Sequence, residues 1–120
     1  MGLTYVDGVV SGPSGEPRSV HFLVDSGAKY SGLPYDDWRA VGLTAERRMI
    51  FVLADGTQIE RDISECHISL AQGRGHTPVV LGEPGDAALL GVVTLENLGF
   101  IFYPFDRTIR PARMLLMSAT

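Results

Sequence analysis

A chain of 120 residues with 45% hydrophobic and 20% charged side chains has the size and composition of a single globular domain, expected to span 1–120 and to bury its own apolar core. A formal net charge of −4 argues against electrostatic recruitment of nucleic acid, and Arg107, Arg110 and Arg113 read as a solvated face. Cys66 is the single cysteine, which excludes an intramolecular disulfide and a Cys-built metal site, and no stretch approaches the roughly 18 apolar residues of a membrane span.

The opening MGLTYVDG has no cationic patch leading into an apolar run, so no signal peptide is expected. Val6 stands where a myristoylation site requires Ser or Thr. The expectation is a cytoplasmic protein with no membrane partner.

Fourteen glycines and seven prolines are scattered along the chain, which favours short strands and turns over long helices. Residues 3–10 are apolar-rich, 11–15 are turn formers, and 18–24 follow as a second strand, predicting an opening hairpin with a long loop. Val20, Phe22 and Val24 alternate with Ser19, His21 and Leu23, so one face is plainly apolar. Residues 28–33 could form a further short strand. Pro34 at a first helical position, Asp36 and Asp37 in the first turn, and Gly42 past the end predict a short helix, with Trp38 and Val41 on its buried face.

Residues 48–54 and 57–63 flank Asp55-Gly56, a strong hairpin signal of the two-residue type I′ kind. Beyond it, Ile59 and Ile63 are apolar at odd positions but Cys66, Ile68 and Leu70 at even ones. That change of parity near Ser64-Glu65 predicts a bulge or a corner. Residues 72–76 read as a loop, 77–81 as a strand, 82–85 as a turn and 87–90 as a compact apolar run. Val92, Leu95 and Leu98 followed by Gly99 suit a second short helix with its C′ glycine. Segments 100–105 and 109–117 close the chain as β-like stretches. About eight strands and two short helices predict an all-β fold, a small closed or partly closed β-barrel.

The stretch Phe22-Leu23-Val24-Asp25-Ser26-Gly27-Ala28 carries the chemistry. A carboxylate directly follows a strand expected to be buried, then come a small hydroxyl and a glycine. Alone, Asp-Ser-Gly is also an ordinary tight turn. In order along the chain, however, the opening hairpin, Asp25-Ser26-Gly27-Ala28, the helix after Leu33-Pro34, the Asp55-Gly56 hairpin, Leu89-Leu90-Gly91, the helix ending at Leu98-Gly99 and a terminal strand follow one another. This set resembles the retropepsin-like aspartic peptidases, in a form similar to the stand-alone bacterial members.

The resemblance implies a retropepsin-type acid-protease barrel and a homodimer. Asp25 would be the catalytic aspartate, one per subunit. Ser26 would bond across the dimer, and Gly27 would admit a substrate backbone. Leu89, Leu90 and Gly91 would support the active loop. Ala28, Lys29 and the hairpin tip of Ala54, Asp55, Gly56 and Thr57 would join Gly27 in contacting a polypeptide substrate. Neither metal nor organic cofactor is implied. One Asp-Ser-Gly occurs in the chain, so a two-fold dimer must supply the second carboxylate.

Two features depart from the family pattern. Lys29, the only lysine, stands where relatives more often carry Thr, Ser or Asp. It either snorkels to solvent or reaches the cleft, where it would lower a carboxylate pKa and bias recognition towards acidic side chains. The hairpin tip has one glycine and no nearby Tyr. These features leave open a binding module that keeps the fold and dimer without efficient turnover, and a structural β-domain of a larger chain. His21, His67 and His76 show no metal-ligand spacing, Ser26 lacks a Gly-x-Ser-x-Gly setting, and Cys66 reads as a small core residue. The apolar run 114–117 is expected to be covered, either in its own core or in an intersubunit sheet.

Overall fold

The computed structural model describes residues 3–113. Nine strands and two short helices occur among them: β1 Tyr5–Ser11, β2 Arg18–Val24, β3 Ser31–Leu33, α1 Tyr35–Ala40, β4 Arg47–Val52, β5 Gln58–Leu70, β6 Arg74–Leu81, β7 Leu89–Leu90, α2 Val92–Asn97, β8 Phe100–Tyr103 and β9 Thr108–Pro111. The main sheet runs β1-β2-β7-β3-β6-β5-β4, and β1 also pairs with β5. Six strands therefore close into a barrel, with β4 attached outside on β5. The fold is all-β, as expected.

Closure depends on β1 using both of its edges. Gly8 to Val10 pair with Val20 to Arg18 on one side and with Leu70 to Ile68 on the other. A Cβ on Gly8 would stand 2.9 Å from Leu70 Cδ2 and 3.1 Å from Phe22 Cε2, so the glycine permits that approach. The alternation in β2 is realised: Val20, Phe22 and Val24 are buried. With Val10, Leu33, Ile68, Val79 and Leu90 they make the barrel interior. Full burial of each such side chain contributes about 1.5–3 kcal/mol.

The parity change falls at Ile63-Ser64, both buried, within a continuous strand. The register with β6 runs unbroken from Asp62↔Leu81 to Ser69↔Arg74, so no bulge is inserted. Instead β5 turns a corner: residues 58–63 pair with β4, while residues 67–70 pair with β1. Coiling of one long strand shifts its inward face without a register slip.

Several boundaries differ from the sequence expectation. The loop expected over 72–76 shrinks to a tight turn, because Leu70 and Gly73 exchange both backbone hydrogen bonds at 2.8 and 3.2 Å and β6 begins at Arg74. The Asp55-Gly56 hairpin is present, but its loop has three residues. Gly56 N–H donates to the Leu53 carbonyl and Leu53 N–H to the Thr57 carbonyl, with only Gly56 at positive φ, 87°. That is a type I turn followed by a left-handed glycine, which relieves Asp55 of the positive φ that a type I′ turn demands. The strand expected over 28–33 begins at Ser31, since Ala28 is held in a turn by the Asp25 carbonyl.

Pro34 is the N-cap of α1 instead of its first helical residue. Trp38 Nε1 donates to the Gly82 carbonyl at 2.8 Å and ties that helix to the β6–β7 connection. Gly99, with φ 84°, ends α2 as expected. The closing segments form a separate hairpin, β8–β9, whose Phe100, Phe102 and Ile109 pack on the core. The run 114–117 lies outside the described residues.

Candidate active site

Asp25 is the first residue beyond β2. That strand runs parallel to β7, pairing Leu23 with Leu89 and Val24 with Leu90. The ladder continues one step further, as Asp25 N–H donates to the Leu90 carbonyl at 3.1 Å. The chain then reverses. Ala28 N–H returns to the Asp25 carbonyl at 3.1 Å, and Gly27 N–H donates to Asp25 Oδ1 at 2.9 Å. Asp25 is half-buried, while Ser26 and Gly27 are exposed. Asp25 Oδ2 has no hydrogen-bond partner among the described residues. One carboxylate oxygen is thus fixed by the loop and the other is open to accept or hold a proton.

Leu89, Leu90 and Gly91 lie directly against this loop. Past them, the first two N–H groups of α2 find acceptors in the loop itself: Val92 N–H donates to the Ala28 carbonyl and Val93 N–H to the Lys29 carbonyl, both at 2.9 Å. Helix-start donors lack intrahelical partners, so the loop and the helix satisfy each other. The approach is close. A Cβ on Gly91 would stand 2.6 Å from the Tyr30 carbonyl carbon and 2.7 Å from the Lys29 oxygen.

Beneath Gly91 lies a buried hydroxyl chain that the sequence reading missed. Gly91 N–H donates to Ser31 Oγ at 2.9 Å, Ser31 Oγ lies 2.5 Å from Thr94 Oγ1, and Thr94 Oγ1 lies 2.9 Å from Thr77 Oγ1. All three side chains are buried. A signal existed: Ser31 and Thr77 each sit two residues before a buried apolar residue on the same strand, where alternation calls for an apolar side chain.

A cleft of about 430 Å³ opens between the loop and the β4–β5 hairpin. Gly27, Ala28, Lys29 and Leu89 line it, together with Tyr30, Phe51, Val52, Leu53, Ile59, Arg61 and Asp86, which were not anticipated. The hairpin-tip residues Ala54, Asp55, Gly56 and Thr57 are exposed and do not line it in the single chain, nor does Asp25. The hairpin contributes its inner face, where Phe51 and Ile59 are register partners.

The electrostatics of the cleft are uneven. Arg61 Nε pairs with Asp86 Oδ2 at 3.2 Å, and Asp86 Oδ2 also accepts Glu83 N–H at 2.8 Å. Lys29 is exposed and has no carboxylate partner among the described residues. Arg47 stands over the Tyr30 ring at 5.8 Å and donates to its hydroxyl at 3.3 Å, likewise with no carboxylate. Tyr30 in turn meets Phe51 edge-on at 6.1 Å.

Elsewhere, His67 and His76 face each other across β5 and β6, ring centroids 5.2 Å apart. No group of three or more His, Cys, Asp or Glu side chains suited to a metal ion occurs among the described residues. Cys66 is buried, and burial pushes its thiol up to about 12. No helix among the described residues is long and apolar enough to cross a membrane.

No family model and no curated protein matches the chain. Among solved structures, the chain is similar to the solution structure of simian foamy virus (mac) protease, at 16% identity and a TM-score of 0.52, over 73% of this chain and 87% of that one. At that identity the likeness concerns the fold, not the stand-alone bacterial form. The six-stranded closed barrel and this neighbour together show that the chain has the retropepsin-like fold.

Proposed function

We propose that the protein is a homodimeric aspartic endopeptidase, each subunit contributing Asp25. The observation that carries this reading is the half-buried Asp25 carboxylate, Oδ1 fixed by Gly27 N–H and Oδ2 open, in the loop whose Gly27, Ala28 and Lys29 line a largely apolar cleft of about 430 Å³. A bare turn residue does not need a floor of Leu90, Gly91 and three buried hydroxyls to hold it.

Two such carboxylates side by side cannot both ionise cheaply, so the pair holds one shared proton, the behaviour for which aspartic-protease dyads are the standard case. The ionised Asp25 takes a proton from a water, and the water oxygen attacks the peptide carbonyl carbon. The protonated Asp25 donates its proton to the carbonyl oxygen, giving a neutral tetrahedral diol. Collapse of the diol returns a proton to a carboxylate, delivers one to the departing amine and breaks the C–N bond. Ser26, exposed beside Asp25, supplies the hydroxyl that bonds across the dimer, and Leu89, Leu90 and Gly91 keep the loop in place. The tip of Ala54, Asp55, Gly56 and Thr57 closes over the peptide, which adds to the hairpin as an extended strand. No metal or organic cofactor takes part, and the single Cys66 thiol suits the cytoplasm.

The test is cleavage of a diverse peptide library between about pH 4 and pH 7 by wild type and Asp25→Asn. Replacement by the amide keeps shape but removes acid–base function. Cleavage that vanishes in the variant establishes the activity. Folded, dimeric wild-type protein that cleaves nothing would leave a retropepsin-fold binding module instead.

A further inference from the structure

Resting on the peptide-cleft reading, we infer that the cleft selects extended peptides that carry an acidic side chain beside apolar ones, with Lys29 and Arg47 as the specificity-determining residues. The apolar part follows from Phe51, Leu53, Ile59 and Leu89 in the lining. The acidic part follows from the balance of charge. The only carboxylate in the lining, Asp86, is already engaged by Arg61 and by Glu83 N–H.

Lys29 lines the cleft from the loop, and Arg47 on β4 stands over the ring of Tyr30, itself a lining residue, and donates to its hydroxyl. Neither has a carboxylate partner among the described residues. The chain as a whole carries −4, so this cationic rim runs against the overall field and attracts anionic side chains only locally. A substrate carboxylate placed at the rim replaces water on two cations without displacing an existing ion pair. A basic side chain there meets like charge.

The experiment uses pairs of fluorescein-labelled apolar decapeptides that differ only by Glu or Gln at one position, scanned along the peptide. Affinity is read by anisotropy on the Asp25→Asn protein, and kcat/KM on wild type. At one or two adjacent positions the Glu peptide is expected to bind about three- to fivefold more tightly than its Gln twin. Lys29→Glu should reverse that preference, Arg47→Gln should weaken it, and about 1 M salt should shrink it. Arg39→Gln removes one positive charge outside the cleft and should leave the preference unchanged, which separates a local effect from one of net charge.

Equal binding of Glu and Gln peptides at every position overturns the inference while leaving an observed cleavage intact. A preference that survives Lys29→Glu overturns the assignment to Lys29. A Glu preference in a protein that cleaves nothing supports the inference and sinks the catalytic reading. Failure of folded protein to bind any peptide overturns both.

Discussion

The hydroxyl of Ser31 lies 2.5 Å from that of Thr94, 63 residues away in the chain, and both side chains are wholly buried. Ser31 Oγ also accepts the Gly91 N–H, so this contact joins β3, α2 and the segment under the active loop. Removing the Ser31 hydroxyl leaves a buried N–H and a buried Thr94 hydroxyl each short of a partner. Ser31→Ala is expected to lower stability by about 1–3 kcal/mol. Urea unfolding should show a lower midpoint at unchanged slope, and an unaltered midpoint would refute the network's role.

Gly91 and Gly56 separate two reasons for glycine. At Gly91 an added methyl meets fixed backbone at 2.6–2.7 Å, so Gly91→Ala should cost about 2–3 kcal/mol and disturb the active loop. At Gly56 nothing lies within 4 Å, but φ is 87°, so Gly56→Ala should cost only about 1 kcal/mol of local conformational strain. Thermal unfolding of both variants checks the order. Equal losses would contradict it.

Asp55 accepts the Thr57 N–H at 2.9 Å, and hydrogen bonds from the Thr57 side chain and backbone hold its carboxyl below the ordinary 3.8. The folded value is depressed, so the turn's gain is complete above the ordinary value and lost as pH falls through the lower, folded one. An NMR titration should find the Thr57 amide shift moving with a midpoint below 3.8. A midpoint at or above the ordinary value would argue against the turn bond.

Cys66 behaves in the opposite sense. Desolvation by burial pushes its thiol from 9.0 up to about 12, with Glu65 adding to the effect. Between those values the unfolded chain has released a proton that the folded chain keeps. The associated stability is therefore full below about pH 9 and is lost as pH rises through the window. At pH 8 the native thiol should react with a disulfide reagent far more slowly than in denaturant. Rapid native labelling would contradict its burial.

On the proposed reading, a single Asp-Ser-Gly per chain makes activity depend on association. Specific activity should fall on dilution, in step with loss of a species of twice 13.0 kDa in sedimentation velocity. Activity that persists in a strictly monomeric sample would refute the shared site.

The local features were legible in the sequence because they are set by neighbours a few residues apart. Alternation at Val20, Phe22 and Val24 marked the buried strand that presents Asp25, Asp55-Gly56 marked the hairpin, and Gly99 marked the end of α2. The parity change in β5 located the corner to within a residue, although only the unbroken register with β6 shows that coiling, not a bulge, produces it. The turn type was misread because a left-handed glycine after Asp satisfies both a two-residue and a three-residue loop, and the strands beyond decide between them.

What tertiary structure alone decided is which distant residues meet. Phe51, Ile59, Arg61 and Asp86 line one cleft, Arg47 stands over Tyr30, and Ser31, Thr77 and Thr94 share buried hydrogen bonds. No local spacing encodes those meetings. They arise because β7 lies between β2 and β3 while β5 crosses from β4 to β1, and closing the barrel brings together side chains that the chain itself holds tens of residues apart.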